Sequence, residues 1–205
     1  MSLQNKGILI QAGLGAVLVT VLMIPFQSLT PLALYSPMLI LPVMLFFTLQ
    51  APPRALLGMF LSFVCGVAWG AAFLAVQSAL PGVPLELVMG IGVACVIFLV
   101  LAVHPLVFGR TPLGMVPAVL LGVVETLLVT NLSVLLPDGA PVPNLPWLVV
   151  IFGYGCVMTL ILILVQDKII GALLGAQWRS APTDEAPSSQ IPPTPPVRPS
   201  PRPTA

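Results

Sequence analysis

The residue with the most chemistry in this sequence is Glu125, a carboxylic acid in the middle of the apolar run Leu113–Leu136. At that depth in lipid a carboxylate costs about 2.5–3.5 kcal/mol on insertion scales and more by other accounts. It must therefore face a bundle interior or water, and be protonated or paired. Glu125 flanks a ladder of small residues spaced by four, Gly114, Ala118, Gly122 and Thr126, which share one helix face. Two readings follow from the chemistry. Glu125 is either a proton-coupling or substrate-contacting group, or a neutral carboxyl bonded to a nearby hydroxyl or indole.

A shift of 56 positions places Trp69 where Glu125 stands. An indole N–H needs an acceptor in lipid, and a carboxyl supplies one; the alternative is a tryptophan facing lipid. Further polar groups come from Tyr35 and Ser36, in a run interrupted by Pro37 and Pro42, and from the hydroxyls of Ser62 and Thr126. A proline removes one backbone donor and kinks its helix. The carbonyls freed beside Tyr35, Ser36 and Met38 either line a cavity, as broken helices do in transporters, or serve packing alone. Pro117 raises the same expectation of a kink in the run that carries Glu125. Glu125, Trp69, Tyr35, Ser36, Ser62 and Thr126 are thus the candidate lining of a substrate or proton path.

His104 is the one histidine and precedes Pro105, at the expected end of a span, as a cap, an interfacial group or a relay. Cys65, Cys95 and Cys156 lie in apolar runs without metal-ligand spacing and read as packing residues. Gly13-Leu14-Gly15 and Gly153-Tyr154-Gly155 lack the strand–turn–helix setting of a nucleotide site. With no triad, metal cluster or phosphate loop, the sequence predicts neither an enzyme nor a bound metal or cofactor.

The elements that position these groups follow from composition. Of 205 residues, 58% are hydrophobic and 6% charged, against about 25% charged in soluble domains. The solvent that fits is lipid, and the net charge of +1 gives no reason to expect nucleic acid as a partner. A span needs about 20 apolar residues. Six runs qualify: Ile8–Phe26, Leu32–Leu49, Ala55–Leu80, Leu85–Val103, Leu113–Leu136 and Trp147–Val165. Continuous runs exclude the alternating segments of a β-barrel. The expected fold is an all-α membrane protein, a bundle of six transmembrane helices over residues 1–179. Residues 180–205, rich in Pro, Ser and Thr, read as a disordered tail.

Lys6, Arg54, Arg110, Lys168, Arg179, Arg198 and Arg202 all fall on one side of that arrangement. By the positive-inside bias both termini are cytoplasmic, in a bacterial-type inner membrane. The first run has no cleavage site before Pro25, so it is expected to stay as an anchor.

The 56-residue shift also aligns Arg54, Gly58, Met59, Gly66 and Pro81 with Arg110, Gly114, Met115, Gly122 and Pro137. Small residues on one face let helix backbones approach, which is how membrane helices associate. The third and fifth spans are therefore expected to pack through Gly58, Gly66 and Gly70 against Gly114, Ala118 and Gly122. A parallel internal repeat, with its axis along the membrane normal, would follow.

Gly66-Val67-Ala68-Trp69, Ser78-Ala79-Leu80, Val116-Pro117 and Leu121-Gly122 lie within Phe46–Val124, a stretch that resembles the small bacterial inner-membrane proteins catalogued as domain of unknown function 1097. The resemblance implies a compact helical membrane domain and lends no substrate. Leu49–Gly58 is more weakly similar to the membrane half of fusaric-acid-resistance-type exporters. The expected function is a transporter or channel subunit for a small solute, proton-linked through Glu125. The alternative is a non-transporting scaffold acting through its packed face or tail. Expected partners are the lipid bilayer, a small-molecule solute and further copies of the chain as a homo-oligomer.

Overall fold

The structure is a computed structural model that describes residues 3–80, 82–135 and 142–175. The expected tail at 180–205 lies outside the described residues, as do residues 137–141 of the loop at 137–146. The chain runs as α1 (Leu3–Leu29), a 3-10 stretch (Ala33–Leu39) passing into α2 (Ile40–Thr48), α3 (Ala55–Ser78) and α4 (Leu85–Phe98). A π segment (Leu99–Val103) then leads into α5 (His104–Phe108), followed by α6 (Val116–Leu135) and α7 (Leu145–Leu174). No strand occurs among the described residues. In lipid a helix satisfies its own backbone groups, so this is the form apolar runs must take.

Among the described residues four helices are long and apolar enough to cross a membrane: Lys6–Leu29, Ala55–Ser78, Gly90–Phe108 and Leu145–Leu173. Ala33–Thr48 and Val116–Asn131 are shorter apolar helices. The whole of α6 has 20 residues, about 30 Å at helical rise. These apolar helices mark a membrane protein whose outer faces contact lipid.

The prolines act differently from one another. Pro25 sits inside α1. Pro37 lies within the 3-10 stretch, so the expected kink of this run appears as a change of helix type before Ile40. Pro117 does not kink the run that carries Glu125. It is the second residue of α6, in the first turn, where a missing N–H has no partner to lose. The expected end of the fourth span at His104 is also corrected. Leu99–Val103 widens to a π helix and the chain continues helical through Pro105 to Phe108. A π turn moves hydrogen bonds to the i−5 carbonyl, which accommodates a residue that cannot donate.

The centre is the pair α3 and α6. Gly58 meets Pro112, Gly66 meets Val119, and Gly70 meets Thr126, so the two helices run parallel in register. A Cβ added at Gly66 would fall on the Val119 carbonyl, and one at Gly122 on the Phe63 carbonyl. Only glycine admits backbones this close. On one side α7 packs antiparallel to α3: Phe63 stacks on Phe152 with ring centroids 3.8 Å apart, while Leu56 and Leu57 lie with Cys156 and Leu160. On the other side Val96 and Val100 join Phe73, Val119 and Val123 in a second cluster. A third cluster joins Phe26 of α1, Tyr35 and Leu39 to Ile151 and Met158 of α7.

Candidate functional site

Glu125 is 3% exposed, and neither carboxyl oxygen has a hydrogen-bond partner among the described residues. It lies four residues beyond Leu121 and seven beyond Ala118, hence on the same helical face. Ala118 and Leu121 belong to the cluster built around Phe63, Phe152 and Cys156. The carboxyl therefore leaves α6 on the α7 side of the central pair, in an apolar setting. A buried polar group left without a partner costs about 1–3 kcal/mol, and more if charged. Orphans of this kind in native proteins are rare and call for an explanation.

Of the two readings of Trp69, the indole bond to Glu125 does not form, since both Glu125 oxygens are unpartnered among the described residues. The reason is geometric. In a parallel pair closest at Gly66 and Gly122, residues three places on in each helix turn away to opposite flanks. Trp69 packs with Leu74, Val93 and Val116 around the Phe73 and Val96 cluster. It lines an apolar groove of about 440 Å³ shared with α4 residues Ile91, Cys95 and Val96.

The remaining candidates occupy two further places. Tyr35 and Ser36 are buried in the 3-10 stretch. Ser36 accepts a hydrogen bond from Gln27 at 3.0 Å, and the Tyr35 hydroxyl is a second buried orphan. Ser62 and Thr126 lie in the α3–α6 seam. Thr126 donates to the Gly122 carbonyl at 2.8 Å and its side chain fills the space over Gly70. Ser62 donates to the Pro112 carbonyl at 3.2 Å and accepts from the Met115 N–H at 3.1 Å. The six candidates thus fall into separate environments, with Ser62 and Thr126 sharing one seam.

Gly66, Gly70, Ala118 and Gly122 are buried, and Gly58 and Gly114 are half-buried.

His104 is 1% exposed, enclosed by the protein. Its Nε2 lies 2.8 Å from the Leu113 carbonyl. A carbonyl only accepts, so Nε2 carries the hydrogen, and Nδ1 is buried without a partner. The turn at 109–115 is thus held twice, by His104 and by Ser62. Sequence reasoning also missed Gln11 and Gln166. The Gln166 amide, 4% exposed, donates to the Gln11 carbonyl at 3.0 Å and ties α1 to α7. A glutamine inside the first apolar run and another directly after the last were the available signal.

No group of three or more His, Cys, Asp or Glu side chains able to hold a metal occurs among the described residues.

No family model matches the chain. No curated protein and no solved structure matches it either.

Proposed function

We propose that the chain is a transporter or channel subunit for a small solute, in which Glu125 takes up and releases a proton as the coupling step. The observation that carries this reading is the orphaned carboxyl itself, buried in the bundle with no partner for either oxygen among the described residues. A carboxyl enclosed in this way is favoured only when neutral, or when another conformation brings it water, a cation or a donor. Alternation between those two conditions is what a proton-linked carrier requires. The orphaned Tyr35 hydroxyl, in the 3-10 stretch beside α7, is a second group that such a rearrangement would satisfy.

The same reading has six crossings, with α2 and α6 among them, and both termini on the cytoplasmic face of a bacterial-type inner membrane. All seven basic residues then share one side. It includes the 56-residue repeat. Gly66 against Val119 and Gly122 against Phe63 are the same contact made twice under that shift, as a two-fold axis along the pair would produce. The likeness of Phe46–Val124 to the small inner-membrane family belongs to this proposal as well.

A second reading, a scaffold that does not transport, draws on the α3–α6 seam. There backbone meets backbone and no space is left for a path between those two helices.

The test is a susceptibility screen of a deletion strain, over toxic small compounds at several external pH values, complemented with wild type, Glu125→Gln or Glu125→Leu. The proposal expects the Gln variant to insert at wild-type level and to lose the pH-dependent phenotype. A Gln variant that complements like wild type at every pH removes Glu125 from the mechanism and favours the scaffold.

A further inference from the structure

At one end of the central pair lies a cleft of about 450 Å³, lined by Arg54, Ala55, Leu57, Gly58, Thr111 and Met115 among others. Arg54 caps the start of α3. Arg110 precedes Thr111 in the turn that forms the opposite wall. Both arginines are exposed. Neither has an ion-pair or hydrogen-bond partner among the described residues.

The wall that carries Arg110 is fixed. Ser62 of α3 bonds both the Pro112 carbonyl and the Met115 N–H, and His104 holds the Leu113 carbonyl. The Thr111 hydroxyl donates to the Phe108 carbonyl and accepts from the Leu113 N–H. These bonds order the turn at 109–115 against α3, so the backbone that carries Arg110 is fixed next to the cleft that Arg54 lines.

The lining supplies the second half of the recognition. Leu57 and Met115 are apolar, and the cleft opens at the end of membrane-type helices, where headgroups lie. A guanidinium offers paired N–H donors matched to phosphate oxygens. Basic pockets between membrane helices are suited to anionic lipid headgroups.

We infer that this cleft is a binding site for an anionic phospholipid, its phosphodiester held between Arg54 and Arg110 and its glycerol end against Leu57 and Met115. The inference does not depend on the role of Glu125 and would stand if the chain transports nothing.

The experiment uses the full chain purified in a neutral detergent. Its melting temperature is measured with phosphatidylglycerol, phosphatidylcholine, sn-glycerol 3-phosphate or inorganic phosphate added. Phosphatidylglycerol should raise the wild-type value by about 2–4 °C over phosphatidylcholine. Arg54→Gln and Arg110→Gln should each lose most of that shift. Lys168→Gln, an exposed cation on α7 outside the cleft, should keep it. Native mass spectrometry should show one retained phosphatidylglycerol on wild type and on Lys168→Gln, and none on the double arginine variant. No lipid preference in wild type, or an equal loss in Lys168→Gln, overturns the site in favour of general surface charge. An equal shift from glycerol 3-phosphate or inorganic phosphate overturns the lipid as occupant.

Discussion

The α3–α6 seam and the α1–α7 side are both helix packings in one small bundle, yet they hold together by different means. At the seam the closest contacts are main chain to main chain, through Gly66 and Gly122. Its buried hydroxyls Ser62 and Thr126 each have a hydrogen-bond partner. On the other side α1 touches α7 through a few large residues, the Gln11–Gln166 bond and the bond from the Tyr154 hydroxyl to the Leu22 carbonyl at 2.8 Å. Only 6% of the apolar stretch of α1 is buried in the bundle, against 50% for α7. Without a hydrophobic drive between helices in lipid, close packing and interhelical hydrogen bonds are the two available sources of association. The molecule uses the first at its centre and the second at its edge. A bundle built this way has a rigid middle and a loosely attached first helix, and Glu125 emerges from the rigid part.

Alanine substitutions at glycine break this comparison most sharply. Gly66→Ala and Gly122→Ala each drive a methyl onto a neighbouring backbone carbonyl, so each is expected to cost about 1–3 kcal/mol or more. Equilibrium unfolding in mild detergent measures it. Gly13→Ala and Gly90→Ala, where nothing lies within 4 Å of the added carbon, should stay within about 0.5 kcal/mol of wild type. If all four behave alike, the seam is not the centre of the fold.

A smaller effect tests the edge. Gln166→Leu removes the hydrogen bond from the Gln166 amide that ties α1 to α7, and a loss of about 0.5–1.5 kcal/mol is expected. Amide hydrogen exchange should rise in α1 and stay unchanged in α3 and α6. Uniform exchange across the bundle would show that the edge is not a separate unit. Smaller still is Pro117→Ala. The first-turn position in α6 predicts a change under about 0.5 kcal/mol, whereas a kink-forming proline would change the melting temperature visibly.

Much of this was legible in the residues, because four-residue spacing of glycines and the depth of Glu125 are properties of a helix alone. The ladders put Gly66 and Gly122 into the contact, and lipid alone implies that Glu125 faces inward. What could not be read depends on partners distant in sequence. The placement of Trp69 and Glu125 on opposite flanks follows from how two parallel helices meet, not from either helix. The Gln11–Gln166 bond joins residues 155 apart. The π segment has only Pro105 as its sign, and a proline is equally consistent with a helix end.

The most direct test of the account concerns Glu125 itself and needs no knowledge of the solute. Reconstituted protein is taken through a pH cycle while its infrared difference spectrum is recorded in the carboxylic C=O region, for wild type and Glu125→Gln. The proposal predicts a reversible carboxyl band in wild type that is missing from the Gln variant, with melting temperatures of the two within about 2 °C, a difference of at most about 1 kcal/mol in a chain of this size. Identical difference spectra for the two proteins, or a wild-type spectrum with no carboxyl change at any pH, would contradict it.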